Sequence, residues 1–285
     1  MHKMKFITKK NIKFPKRESD SKKGDNGRVL IIGGSKEYVG CLALAGIAAL
    51  RTGCDWVTVA APEKVAWAIN ELSPDLVTIK LKGDYLSIKH FEEIKILIEK
   101  HDIILIGNGA GLRKEAKNLF KKIIKIKKYF VIDADAIKGL SLNEINNSII
   151  TPHKGELKIL LKNSKIKIDI NSLTNNNKKM EIIKKNIKDN TLLIKGKTDI
   201  IISKNKIFFN KTGNAGMTKG GTGDILAGLC AGFLAQNKDL LQSAINAAYI
   251  NGVLGDLQLK KHKGYSYIAS DLLEDISSIN KSLRK

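Results

Sequence analysis

Residues 212–235 read TGNAGMTKGGTGDILAGLCAGFLA. Six glycines fall between Gly213 and Gly228, and an acid, Asp224, sits where the glycine-rich loop gives way to an apolar run. Glycine lets a backbone approach an anion closely, and the first turn of a helix offers unpaired N–H groups and a partial positive charge. The stretch therefore reads as a loop that wraps a phosphate and then opens a helix. A carboxylate there is repelled by a phosphate unless it has a task. The task that fits is accepting a proton from a hydroxyl that attacks phosphorus. A plain glycine-rich turn explains glycine at one or two positions, not GGTGD abutting a small-residue helix.

Ahead of this loop the chain alternates strand-like and helix-like runs. RVLIIGGS (28–35) reads as a buried strand ending in a glycine turn, and GCLALAGIAALRTG (40–53) as a small-residue helix suited to packing on a sheet. Strands follow at 56–62, 76–81, 102–106, 129–132 and 148–150, with helices at 65–72, 91–100, 115–126 and 157–161. DADAI (133–137) reads as an acidic loop. Residues 162–190, rich in Lys and Asn, predict a polar excursion and one surface helix with Ile182, Ile183 and Ile187 on a shared face. Strands at 191–196, 199–203 and 206–210 follow, the last two as a hairpin. Helices at 224–236, 240–259 and near 271–279 close the chain.

This alternation predicts an α/β fold, a largely parallel central sheet with helices on both faces. No composition break or internal repeat marks a second domain. Residues 1–22 read as a polar lead-in, with a docking segment around Phe6 to Pro15, and 23–285 as a single domain. Ligands of such sheets bind at the C-terminal ends of the strands. The loops at 33–40, 107–111, 133–135, 151–156, 195–199 and 213–224 each follow a strand, so they can converge on one rim.

With 285 residues and 43% apolar content the chain can bury an ordinary core. Its net charge of +22 is nearly all Lys; Arg occurs only at positions 17, 28, 51, 113 and 284. Readers of bases and phosphates lean on the bidentate Arg fork. A solvated Lys-rich surface is thus favoured over nucleic-acid binding, and its potential attracts anionic ligands such as nucleotides. Cys41, Cys54 and Cys230 form no close-spaced pair or metal pattern, and all three are expected as buried, reduced thiols, which fits the cytoplasm. The N-terminus lacks the apolar core of a signal peptide, and no uncharged apolar run is long enough to span a bilayer. No membrane partner is expected.

No Walker A pattern is present. Gly107-Asn108-Gly109-Ala110-Gly111 reads equally as a dinucleotide turn or a tight strand-to-helix turn. Asp133 and Asp135 read as Mg²⁺ or ligand-hydroxyl contacts, or as a helix cap; they share a side if the strand persists. His153 is a substrate-contact candidate on the rim, against the common case of a surface His. Lys195-Gly196 sets a cation, or bare backbone, near the phosphate loop.

GGTGD followed by ILAGL resembles the signature of the ribokinase-like superfamily of small-molecule kinases. Together with GNAGM, TPHKGE, DADAI, GNGAG and the early KGDNGRVLIIGGS…VGCLALAGIAALRTG, the chain resembles the ADP/ATP-dependent (S)-NAD(P)H-hydrate dehydratases, from about Lys23 to the last helix. The resemblance implies a ribokinase-like fold and repair of hydrated NADH and NADPH. Phosphorylating the ring hydroxyl, with ADP or ATP as donor and Mg²⁺ present, turns it into a leaving group that the ring nitrogen expels. It implies that Asp224 takes the hydroxyl proton and that the amides of Gly221, Thr222, Gly223 and Asp224 cradle the phosphoryl group. Gly40, Cys41, Gly109, His153 and Asn214 match the hydrated-cofactor site, with Asn214 also supporting the loop. Lys195, Gly196, Lys197, Thr198, Asp199 and Gly223 match the nucleotide site, and Glu156 a metal contact. It further implies a homo-oligomer, with a tetramer as one candidate.

Two positions and one short stretch depart from the common pattern: Lys154 where many relatives have proline, Cys41 where many have alanine, and Lys195-Gly196-Lys197-Thr198-Asp199 where many show KGxxT. Some 25 residues before the first core strand leave no room for the epimerase domain often fused there, so none is expected. The rival readings are a vitamin or sugar kinase of the same superfamily, which would release a stable phosphorylated product, and a non-catalytic nucleic-acid-binding protein.

Overall fold

The computed structural model describes residues 4–171 and 173–284. The first three residues of the expected lead-in, and positions 172 and 285 of the expected domain, lie outside the described residues. A nine-stranded sheet forms the centre, in the order β3-β2-β1-β4-β5-β6-β7-β8-β9. Its strands are β1 (Arg28–Ile32), β2 (Trp56–Pro62), β3 (Val77–Leu81), β4 (Ile103–Ile106), β5 (Tyr129–Ile132), β6 (Ser148–Ile150), β7 (Thr191–Ile194), β8 (Asp199–Ser203) and β9 (Ile207–Asn210). All pairings up to β6–β7 are parallel, and β7–β8–β9 are antiparallel. The parallel strands are short apolar runs because both faces are covered, so no alternation with polar residues is needed.

The pleat sorts each strand between two cores. Val29, Ile31, Ile103, Leu105 and Val131 face α1 (Gly40–Arg51), α2 (Glu63–Leu72), α8 (Thr222–Asn237), α9 (Leu240–Lys261) and α10 (Ala269–Arg284). Leu30, Ile32, Ile104, Ile106 and Ile132 face α3 (Phe91–Glu99), α4 (Lys114–Ile123), α5 (Ala134–Ile137), α6 (Lys154–Asn163) and α7 (Asn177–Asn186). The small residues of α1 serve a helix rather than the sheet alone. A Cβ on Gly228 of α8 would lie 2.1 Å from the carbonyl oxygen of Ala45, and one on Gly232 would lie 2.6 Å from that of Ala49.

The docking segment expected near Phe6 is present: Ile7 N–H donates to Phe209 O at 2.8 Å, and Phe209 N–H to Lys5 O at 3.0 Å. The Phe14 ring packs tilted against Phe233, centroids 6.0 Å apart and planes at 59°. Two expectations need correction. DADAI is not a loop; Ala134–Ile137 turn into α5 directly after Asp133. Met180 and Ile183 of α7 and its C-cap residue Ile187 are buried while Ile182 is 40% exposed. Spacing of three and four residues, not adjacency, makes a helix face.

Candidate active site

The loops after β1, β4, β5, β6, β7 and β9 meet at one end of the sheet, as their order in the chain requires. α8 begins there at Gly221, whose φ of +96° a side chain rarely tolerates. A Cβ at Gly221 would also lie 2.7 Å from Ala269 Cβ and from Leu44 Cδ1. Among the described residues no protein acceptor takes the amides of Gly221, Gly223 and Asp224, which are the open donors of a helix N-terminus. Thr222 turns its hydroxyl into the loop, donating to Met217 O at 2.7 Å and Lys219 O at 3.0 Å. Asn214 braces the same loop: it accepts from Gly216 N–H at 2.9 Å and from Tyr267 OH at 2.8 Å, and donates to Asp256 at 3.2 Å.

Asp224 leads a buried polar chain. Asn108 Nδ2 donates to Asp224 Oδ1 at 2.6 Å and to Asp133 Oδ2 at 3.0 Å. Asp133 Oδ1 accepts from Thr151 Oγ1 at 2.7 Å and from Lys195 Nζ at 2.9 Å. Lys195 Nζ reaches Glu156 Oε2 at 3.8 Å and stands 3.6 Å from where a Cβ on Gly223 would be. The cation therefore lies beside the open end of α8. Glu156 accepts from His153 N–H at 2.9 Å. His153 caps α6, its Nδ1 accepting from Gly155 and Glu156 amides; the ring proton sits on Nε2, 3.4 Å from Glu156 Oε1.

Burial pushes the Asp224 carboxyl up to about 6, against the opposing Asn108 bond and with help from Asp133. This suits a group that must be ionised to take a proton yet hold it well. Burial pulls on the Lys195 ammonium, but Asp133 and Glu156 more than offset it, and Lys195 stays charged. Burial likewise raises Asp199 to about 6; its carboxylate pins the turn after β7 by accepting from Gly196 N–H and Asn210 Nδ2, each at 3.0 Å.

A cleft of about 620 Å³ opens beside Asp224, lined among others by Tyr38, Cys41, Gly109, Arg113 and Lys138. Gly109 is required here: its φ is +63°, and a Cβ would lie 2.5 Å from Cys41 Sγ. Cys41 is half-buried in the cleft wall rather than sealed in the core, because α1 starts at the rim. Burial raises its thiol to about 12, so at neutral pH it is held as the thiol rather than the thiolate. A larger cleft of about 910 Å³ lies at the far end of α1, along Leu50, Arg51 and Asn280, away from the polar chain.

The structure thus splits the sequence candidates about Asp224. Cys41 and Gly109 stand on the cleft side, with Gly40 exposed at the start of α1. His153, Glu156, Lys195 and Gly223 stand on the other, with Gly196, Lys197 and Thr198 in the turn after β7. Asp133 and Asp135 diverge, because β5 ends at Ile132 and the chain turns into α5 at Ala134: Asp135 accepts from Gly111 N–H at 2.9 Å and pairs with Lys138 at 2.8 Å. Sequence reasoning passed over Asn108 and the Thr151 hydroxyl. A polar residue between two glycines in a rim loop was the available signal for Asn108.

A mostly parallel sheet with an acid beside the open amides of a helix N-terminus at its rim is the architecture of the ribokinase-like class. A ribokinase-like superfamily protein from Enterococcus faecalis superposes with a TM-score of 0.83 at 28% identity, over 98% of this chain and 96% of that one. The ADP/ATP-dependent NAD(P)H-hydrate dehydratase of Bacillus subtilis, co-crystallised with ATP/Mg²⁺, gives a TM-score of 0.83 at 23% identity, over 99% and 100%, and shares the fold. A family model for NAD(P)H-hydrate dehydratase matches residues 29–278. The chain belongs to the NAD(P)H-hydrate dehydratase family. It is 36% identical over 274 residues to the ADP-dependent (S)-NAD(P)H-hydrate dehydratase of Cenarchaeum symbiosum, covering 94% of this chain and 93% of that protein. It is 42% identical over 270 residues to the bifunctional NAD(P)H-hydrate repair enzyme Nnr of Methanocaldococcus jannaschii. The chain spans about half the length of such bifunctional relatives, 50% in that case. Among the described residues no helix is long and apolar enough to cross a membrane.

Proposed function

We propose that this chain dehydrates hydrated NADH and NADPH at the expense of ADP, with ATP as the alternative donor. The observation that carries the proposal is the half-buried Asp224 carboxylate, held by Asn108 between an open helix N-terminus and a cleft. The hydroxyl on the ring carbon beside nitrogen attacks the terminal phosphorus of the nucleotide. Asp224 takes the hydroxyl proton as the new O–P bond forms and the bond to the departing nucleotide breaks. The amides of Gly221, Gly223 and Asp224 and the Lys195 ammonium bear the charge on the transferring group. The ring nitrogen lone pair then expels phosphate, and loss of a proton from the neighbouring carbon restores the dihydropyridine.

In this scheme Cys41, Gly109 and Gly40 border the dinucleotide, with His153 and Asn214 at its margins. Residues 195–199 and 221–223 hold the donor. Magnesium fits the donor set. Among the described residues no three metal-binding side chains cluster, and Mg²⁺ is commonly held by one or two carboxylates plus phosphate oxygens. Glu156 is the carboxylate that would hold it, and the ion would neutralise charge on the phosphates. A homo-oligomer, a tetramer among the candidates, and a cytoplasmic setting belong to the same proposal.

The test is to mix the protein with hydrated NADH, Mg²⁺ and ADP or ATP and follow the near-UV absorbance of NADH. Recovery is expected, and its loss on chelating Mg²⁺. No recovery with either donor overturns the proposal, and a stable phosphorylated product would favour a kinase instead.

A further inference from the structure

Asn108 is fully buried between two carboxylates. Its amide can lie only one way: turned over, its oxygen would face both Asp224 and Asp133. That orientation leaves Asn108 Oδ1 buried without a partner. An orphaned acceptor is a cost that a space-filling side chain would avoid. The backbone is shaped to accept it. Gly107 and Gly109 have φ of +114° and +63°, and a Cβ on Gly107 would lie 2.1 Å from Asp133 O. Asn108 O accepts from Gly34 N–H at 2.8 Å, which locks the loop after β4 onto the loop after β1.

We propose that Asn108 is a positioning residue that holds the Asp224 carboxylate in the orientation and ionisation state needed to take the substrate's proton. Two charge-assisted bonds from one amide tie the proton acceptor, through Asp133, to Lys195 on the nucleotide side. The other groups about Asp224 are Asp133 and Asp135 from the β5–α5 junction, Lys195 just after β7 and Cys41 from α1, with Arg113 and Lys138 across the cleft. Burial and the two acids favour the protonated form of Asp224; Asn108 and Lys195 oppose them. The dehydratase proposal supplies only the identity of the substrate; the relation of Asn108 to Asp224 does not depend on it.

The test compares wild type, Asn108→Ala and Asn108→Asp by carboxyl-carbon NMR of ¹³C-labelled Asp, with the Asp224 signal assigned by its loss in Asp224→Asn. The Asp224 titration should move up by about one unit or more in Asn108→Ala and further in Asn108→Asp. With hydrated NADH, kcat at neutral pH should fall roughly 10–100-fold while KM stays nearly constant. If Asn108→Ala does not fold, the isosteric Asn108→Asp carries the measurement. Variants that melt lower while Asp224 titrates as in wild type would make Asn108 merely structural and overturn the proposal. A wild type unable to convert hydrated NADH would remove the dehydratase reading, and the NMR titration would still decide Asn108.

Discussion

Asn108 Nδ2 and Asp224 Oδ1 meet at 2.6 Å although 116 residues separate them in the chain. The contact joins the loop after β4 to the first turn of α8, and with it the cleft to the phosphate-binding end of that helix. It makes Asp224 the pivot of the site.

Asp224→Asn keeps the shape and removes the proton acceptor. Turnover should fall about 10²–10⁴-fold, while calorimetry should find nucleotide affinity little changed. In the wild type, activity should fall as pH drops through about 6, where Asp224 takes its proton. A flat profile from pH 5 to 8, or an active Asp224→Asn, would remove Asp224 from the chemistry.

The same substitution should alter stability in a pH-dependent way. Asp224 titrates near 6 in the folded protein and near 3.8 when unstructured. The folded state therefore keeps the proton to higher pH, and its stability falls as pH rises from roughly 4 to 6. Asp224→Asn escapes that loss. It should melt several degrees above wild type at pH 8, with the gap closing towards pH 4.

Lys195→Met should leave Asp133 and Glu156 buried without their cation. Breaking a buried ion pair from one side costs about 3–5 kcal/mol, so the urea midpoint should drop clearly. Adding Asp133→Asn to Lys195→Met should recover part of the loss. Equal midpoints for the single and double variants would show that Lys195 stabilises nothing through Asp133.

Gly228→Ala reverses the usual rule for helices. Alanine in a helix interior normally gains about 1 kcal/mol over glycine. Here the new Cβ meets the Ala45 carbonyl at 2.1 Å, and backbone atoms yield poorly. A net loss of about 1–3 kcal/mol is expected from denaturant titration.

Much of the fold was legible because apolar runs and glycine turns are local signals. β2 was readable at 56–62 to the residue, and the hairpin of β8 and β9 from its short polar turn. Where local signals competed, the sequence misled. DADAI has a strand's carboxylate spacing, but the chain turns into α5 at Ala134, whose φ is +49°. Ile182 looked like part of a face that Met180, Ile183 and Ile187 actually make. Cys41, at the apolar start of α1, looked buried and instead borders the cleft.

Local backbone preference and the order of strands and helices were enough to predict a glycine loop opening a helix around Asp224 and strand-end loops sharing a rim. Which rim residues touch is set by long-range packing. Asn108 bridging Asp133 to Asp224, and Lys195 compensating Asp133 and Glu156, arise from packing segments distant in the chain. Burial then gives those contacts their force, because a charge out of water must find its partner within the protein.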